Sequence, residues 1–203
     1  MDRLAPRTAG HPGCGFARGT ARHSGRGTQG PQAIDRVFGG RAQRVEPGPG
    51  QDSVWDYPRP PSIEQTTRHV VVVFDAQVVA DSARAWRVCE TSHPPVYYVP
   101  REDISGGVLV AAPGASYCEF KGSATYWSLR AGDRVEPEVA WSYENPSPEY
   151  AALAGAVAFY PGRVDLASLD GEPVRPQAGG FYGGWITDDV VGPFKGEPGT
   201  SDW

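Results

Sequence analysis

The chain has 203 residues, enough for one or two domains, and its 26 Gly and 20 Pro exceed the share found in ordinary globular proteins. Residues 1–44 contain eight Arg and two Asp, whereas residues 45–203 contain 22 Asp and Glu against 11 Lys and Arg. The acidic balance of the larger part argues against a broad nucleic-acid surface there. No apolar run approaches the ~18 residues of a membrane span, so no membrane partner is expected.

Four regions are predicted. Residues 1–44 have few apolar side chains to offset chain entropy and are expected to be a disordered basic extension, with a mis-called translation start as a sharper hypothesis. Residues 45–67 form an extended Pro-rich lead. Residues 68–172 form a β domain, and residues 173–203 form a tail rich in Gly, Pro and aromatic residues that packs on it.

Ten short β-branched or alternating runs predict about eight or nine strands in the β domain. These runs lie at 68–74, 78–81, 85–90, 96–99, 108–112, 117–120, 124–129, 139–143, 157–160 and 164–169. Pro113-Gly114 is expected to form a turn, and the last two runs to form a hairpin across residues 161–163. One short helix is predicted over residues 148–154, with Ser147 as its N-cap. The pattern is typical of a small barrel or sandwich.

Side-chain alternation makes one face of this sheet aromatic. Tyr97 and Tyr98 are neighbours in one strand, and Tyr126 and Trp127 are neighbours in another, so each pair must divide between two faces. One face therefore presents rings and hydroxyls to a concave pocket, and we take His93 and all four of these residues as ligand-binding candidates.

Three further residues are candidates for chemistry. Glu90 either caps the backbone of the following turn or acts as an acid or base. Lys121 is either a surface lysine or a cation for phosphate or carboxylate, with Gly122 letting a ligand approach the backbone. Cys118 is either a core thiol or a nucleophile. His93, before Pro94-Pro95, is either structural or catalytic.

Several standard chemistries lack their motifs. The chain has no phosphate-binding loop, no G-x-G-x-x-G after a strand, no G-x-S-x-G and no H-E-x-x-H. Its three cysteines include no C-x-x-C pair, so neither a disulfide framework nor a zinc site is expected. Free cysteines and the lack of an apolar N-terminal signal segment favour a reducing, cytoplasmic location.

Two long blocks carry a family resemblance: His-Pro-Pro-Val-Tyr-Tyr-Val-Pro-Arg-Glu-Asp at 93–103 and Tyr-Cys-Glu-Phe-Lys-Gly-Ser-Ala-Thr-Tyr-Trp at 117–127. Shorter blocks lie at 78–82, 87–91, 140–143 and 158–165, with flanking blocks at 51–61, 179–187 and 192–199. Together they resemble the domain of unknown function 427 family, which carries a nucleotidyltransferase label, and especially its long actinobacterial-type members. Many members have Leu at the position of Cys89, which indicates that this thiol serves as a small apolar side chain.

The resemblance implies a mainly β fold of the tent-like barrel type, without an established reaction. A nucleotidyltransferase normally needs two or three clustered carboxylates to hold Mg²⁺. Asp81, Glu90 and Asp103 would provide them only if their strand ends meet. We expect Mg²⁺ only if the nucleotidyltransferase label is right, and we expect no other cofactor.

These observations lead to two hypotheses. The first is a single β domain with one pocket for a small anionic or aromatic molecule, in which Glu90, Lys121 and Cys118 carry acid–base or group-transfer chemistry. The second is a non-catalytic binding or interaction module, with the tail at residues 179–203 as a partner or homodimer surface.

Overall fold

The computed structural model describes residues 43–200 and residue 203, and within them the chain is mainly β, as the sequence predicts. The strands are Asp52–Ser53 (β1), Ser62–Gln65 (β2), Val70–Phe74 (β3), Gln77–Ser82 (β4), Trp86–Cys89 (β5), Val96–Val99 (β6), Leu109–Cys118 (β7), Gly122–Ala131 (β8), Arg134–Ser142 (β9), Val157–Phe159 (β10), Leu166–Leu169 (β11), Glu172–Pro173 (β12), Arg175–Pro176 (β13), Trp185–Ile186 (β14) and Val190–Val191 (β15). Short 3₁₀ helices span Val54–Asp56, Arg101–Asp103, Pro148–Leu153 and Pro161–Arg163.

The strands form two main sheets. The large sheet has seven strands in the order β2-β5-β6-β10-β9-β8-β7, and its neighbours are antiparallel. The small sheet has the order β12-β11-β3-β4 and is also antiparallel. Among the described strands, β2 and β7 are the unpaired edges of the large sheet, so the sheet does not close into the expected barrel.

The main core lies between the two sheets. It combines Val70, Val72 and Phe74 of β3 with inward-facing residues of the large sheet such as Leu129 and Phe159, all fully buried. β-branched and aromatic side chains suit such a face, because they fill the space between pleated surfaces about 10 Å apart. The fold is thus a packing of two sheets, of which the large sheet has seven strands and the small sheet four.

The large sheet also buries its other face, here called the outer face. Along β6, Tyr97 belongs to the main core while Tyr98 belongs to the outer cluster. Along β9, Ala140 and Trp141 divide in the same way. This is the period-two alternation of a strand buried on both sides, and it places a set of aromatic residues on the outer face.

Two local predictions were wrong. Pro113-Gly114 does not end a strand: it lies in an irregularity of the single strand β7, where the register with β8 shifts between Ala111 and Ala115. The predicted hairpin across residues 161–163 does not form, because β10 pairs with β6 and β9 while β11 pairs with β3 in the other sheet. The short helix predicted over residues 148–154 is confirmed, as a 3₁₀ helix at Pro148–Leu153.

The lead and the tail are parts of the same folded body. β1 pairs in parallel with β15, which joins residues 52–53 to residues 190–191. Trp185 of β14 is fully buried in the main core, and its indole nitrogen donates a hydrogen bond to the carbonyl of Phe159 at 3.1 Å. The expectation of a disordered extension falls on residues 1–42, which lie outside the described part. No described helix is long and apolar enough to cross a membrane.

Candidate functional site

A cavity of about 470 Å³ lies against the outer face of the large sheet. Its floor includes Tyr98 of β6, Tyr126 of β8 and Trp141 of β9, while Glu90 and His93 line it from the β5–β6 connection. This volume is within the ~300–1,000 Å³ of known small-molecule sites.

The aromatic floor is held by hydrogen bonds between its own side chains. The indole nitrogen of Trp141 donates to the Tyr98 hydroxyl at 3.1 Å, and the Tyr126 hydroxyl donates to Ser116 at 2.8 Å. The ring of Tyr160 packs against Trp141 with centroids 4.5 Å apart. Burial raises the pKa of the Tyr98 and Tyr160 hydroxyls, so these groups stay protonated and can donate hydrogen bonds.

The β7–β8 hairpin brings Lys121 to the cavity. Cys118 pairs with Gly122, which leaves a three-residue loop, and Gly122 adopts a φ of 94° that a side chain would strain. Ser147 fixes this loop: its hydroxyl donates to the carbonyl of Phe120, and its amide donates to the carbonyl of Lys121. The Ser147 hydroxyl therefore fixes the hairpin loop. The sequence had suggested that it caps the following helix, but it forms no capping hydrogen bond there.

Lys121 is a buried cation. It is 7 % exposed, and within residues 43–200 and residue 203 it forms no ion pair. Its Nζ lies 5.7 Å from the centre of the Tyr150 ring, which gives a cation–π contact. No fully buried polar atom of the described side chains lacks a hydrogen bond. The ammonium, which has no hydrogen-bond partner among the described residues, therefore keeps an accessible edge, and Lys121 lines the cavity.

Glu90 has a cationic partner of its own. Arg59 of the lead donates to Glu90 at 2.6 Å and to Glu119 of the hairpin loop at 2.6 Å. The Arg59 guanidinium also lies over the ring of Phe120, 5.1 Å from its centre. Since β5 and β7 are far apart in the strand order, this contact requires the large sheet to curl strongly. Arg59 thus bridges two walls of the cavity.

His93 is held in one tautomer. Its Nδ1 lies 3.0 Å from the carbonyl of Thr91, and a carbonyl only accepts hydrogen bonds, so Nδ1 carries the proton. Its ring also packs edge-on against Tyr182, with centroids 5.0 Å apart. Burial lowers the pKa of His93, and the nearby cations Lys195 and Arg59 lower it further against the opposing effects of Thr91 and Glu90. Nε2 of the neutral ring is therefore an acceptor.

The sequence blocks at 93–103 and 117–127 lie within the part of the chain that matches a known family. Residues 62–170 match the model of the family described as "Domain of unknown function (DUF427)", which bears a nucleotidyltransferase-style label. The chain belongs to this family. A search of the curated proteins found no match to it.

The DUF427 match covers β2 to β11 and so includes most of the cavity but not its tail wall. Phe181, Tyr182 and Gly183 line that wall, together with Gln177 and Lys195. The four glycines around Phe181-Tyr182 were the sequence signal for this close approach, whereas Arg59 and Lys195 had none.

Six of the eight predicted site residues of this DUF427 protein line the cavity: Glu90, His93, Tyr98, Cys118, Lys121 and Tyr126. The other two lie elsewhere. Tyr97 packs against Trp185 in the main core, with ring centroids 5.4 Å apart. Trp127 donates to the Ser142 hydroxyl at 2.8 Å and carries Arg101 over its ring.

Neither cysteine of the described part is in a disulfide. Cys118 is half-buried at the cavity. Burial raises the pKa of the Cys89 thiol to about 12, which keeps it neutral although Arg87, Glu64 and Asp52 lie nearby. Cys89 lies outside both hydrophobic clusters, so its role as a small apolar side chain stays a prediction.

The carboxylates do not fit the Mg²⁺ that the DUF427 label implies. Asp81 contacts His69 at 2.7 Å, and Asp103 binds Arg84 at 2.7 Å, both away from the cavity. Glu90 and Glu119 share Arg59. Within the described residues no three His, Cys, Asp or Glu are grouped to hold a metal ion. We derive no chemical step through a metal.

Proposed function

We propose that this DUF427 protein binds a small molecule that carries an anionic group and a flat ring, in the cavity on the outer face of the large sheet. The observation that carries the proposal is Lys121, a buried ammonium with no carboxylate partner in the described part of the chain.

A buried charge without a partner is costly. An ammonium that leaves water loses its hydration, and only a paired anion or strong hydrogen bonds offset the loss. Arg59 and Arg87 each bind two carboxylates, whereas within the described part of the chain Lys121 contacts the face of Tyr150 and no carboxylate. A ligand anion in the cavity would supply the missing partner.

The aromatic floor supports the second part of the proposal. Tyr126, Tyr160 and Tyr182 line the cavity with half-buried rings, and Tyr160 is fixed against the buried Trp141, so little side-chain entropy is lost when a ligand packs on it. A flat ring suits these faces. A nucleotide has both parts, an anionic phosphate and a base, and the family label supports its inclusion among the candidates.

The test is a thermal-shift screen of the full chain against nucleotides with and without Mg²⁺, sugar phosphates, phenyl phosphate and aromatic carboxylates. A compound at 100 times its dissociation constant adds about 2.7 kcal/mol to the unfolding free energy, which shifts the melting temperature by several degrees. We expect a shift with at least one ring-bearing anion, and its loss in Lys121→Met.

Arg130→Met is the matched control, because Arg130 is exposed and does not line the cavity. It should keep the shift. A screen without any shift, or a shift that survives in Lys121→Met, would refute the proposal. A shift that requires both ATP and Mg²⁺ would favour nucleotidyl transfer over simple binding.

An interaction module is the second candidate function. Tyr117 is 77 % exposed and Phe181 is 65 % exposed, and both belong to the lining of the cavity. Exposed aromatic rings at a rim are common in interaction surfaces. Tyr117→Ser with Phe181→Ser should then abolish self-association in analytical ultracentrifugation; a wild-type chain that stays monomeric at high concentration would refute a homodimer.

A further inference from the structure

The cavity has a fixed hydrogen-bond acceptor as well as a free cation. Nδ1 of His93 is engaged by the Thr91 carbonyl, and the ring is packed against Tyr182. Nε2 has no protein partner among the described residues, and the imidazole lines the cavity. We infer that the ligand donates a hydrogen bond to Nε2 of His93 while its anionic group binds Lys121, so that the site takes a hydroxylated aromatic acid.

This inference rests on the proposed function and specifies its substrate class. The ammonium of Lys121 and the guanidinium of Arg59 can only donate, whereas the protonated tyrosine hydroxyls can both donate and accept. Glu90 is an acceptor but is already bound by Arg59 at 2.6 Å. Glu119 likewise accepts from Arg59 at 2.6 Å. Nε2 of His93 has no protein partner among the described residues, so it is an acceptor that a ligand hydroxyl can reach without displacing a protein contact.

A hydroxyl in this position discriminates between ligands. A ligand that carries it fills the Nε2 lone pair, whereas its deoxy analogue leaves a desolvated acceptor unpaired. A typical net gain of about 0.5–1.5 kcal/mol corresponds to roughly a 2- to 10-fold tighter dissociation constant.

The experiment measures binding of benzoate and of 2-, 3- and 4-hydroxybenzoate to the full chain by isothermal titration calorimetry at pH 7.5. The three isomers cover the positions that a hydroxyl can take relative to the carboxylate. We expect at least one isomer to bind roughly 2- to 10-fold more tightly than benzoate.

Two variants of His93 separate its nitrogens. His93→Asn keeps an amide donor near the position of Nδ1 and removes Nε2, so it should abolish the preference for the hydroxylated acid. His93→Gln places an amide oxygen near the position of Nε2 and should restore part of it. His69→Asn, outside the cavity, is the control and should bind as the wild type does.

Equal binding of benzoate and every isomer, or a preference that survives in His93→Asn, would overturn the inference while leaving the anion site intact. Absence of binding by all four acids would also overturn the inference, and the nucleotide and phosphate arms of the thermal-shift screen would then decide the proposed function separately.

Discussion

Gly183 lies directly against the indole of Trp141. A β carbon on Gly183 would come within 2.1 Å of Cη2 of Trp141, far inside van der Waals contact. Trp141 is itself anchored to Tyr98, so the indole has little freedom to move away. The tail backbone therefore closes one wall of the cavity at a distance that only glycine permits.

Gly183→Ala should destabilise the protein by roughly 1–3 kcal/mol, because the added methyl group must displace either the tail or the indole. Urea unfolding followed by tryptophan fluorescence measures this change. Gly106→Ala is the matched control, since its β carbon would meet no atom within 4 Å and its φ is not positive. Equal unfolding free energies for the two variants would contradict the close contact.

Lys121→Met should stabilise the ligand-free protein by on the order of 1 kcal/mol, because methionine fills the volume of the aliphatic stem without burying a charge. Chemical denaturation of the two proteins without added ligand measures the difference. Arg130→Met should change stability by less than about 0.5 kcal/mol, as expected for an exposed position. A clear loss of stability in Lys121→Met would show that the ammonium has a stabilising partner.

Stability should depend on pH through His93. Burial lowers its pKa in the folded protein, so between that value and about 6.5 the unfolded chain binds the proton that the folded chain does not. The unfolding free energy should therefore fall as the pH drops below about 6.5, by at most about 1.4 kcal/mol per pH unit from this group.

His93→Asn should flatten this dependence between pH 5 and pH 6.5 in a series of denaturant titrations. Glu90, Arg59, Lys195 and Tyr182 face the same imidazole and remain in the variant, so the difference between the two slopes reports on His93. Parallel slopes would contradict a lowered pKa.

Trp185→Ala should cost roughly 3–5 kcal/mol, because it empties a fully buried site in the main core and leaves the Phe159 carbonyl without its donor. Phe181→Ala, four residues earlier and 65 % exposed, should change stability by less than about 1 kcal/mol. Thermal denaturation by circular dichroism compares them. A mild effect of Trp185→Ala would mean that the tail is not part of the folded core.

The sequence predicted the strands better than their connections. Val96–Val99 has the predicted bounds, and Tyr97 and Tyr98 divide between two faces as alternation requires. The prediction of a hairpin after β10 was wrong, because the turn residues at 161–163 do not show that the next strand joins the other sheet. Sheet membership depends on pairing with β3, some 90 residues earlier.

In the candidate site, too, the sequence predicted residues that are close together in the chain and missed those that are far apart. The blocks at 93–103 and 117–127 contain five of the six predicted residues that line the cavity, all but Glu90, because a loop and a hairpin bring their own residues together. Arg59 and Lys195 lie far from these blocks in sequence, and no local pattern marks them as neighbours of Glu90 or His93. Contacts between residues so far apart in sequence form only when the lead and the tail pack on the large sheet.

The sequence by itself determined the β class, the alternation that buries the large sheet on two faces and the family to which the chain belongs, because each of these follows from residues close together in the chain. Only the tertiary structure decided which face carries the cavity. Tyr97 and Trp127 are aromatic, as Tyr98 and Tyr126 are, but they lie on the opposite face of the large sheet. The small sheet covers that face, while the tail and Arg59 enclose the other.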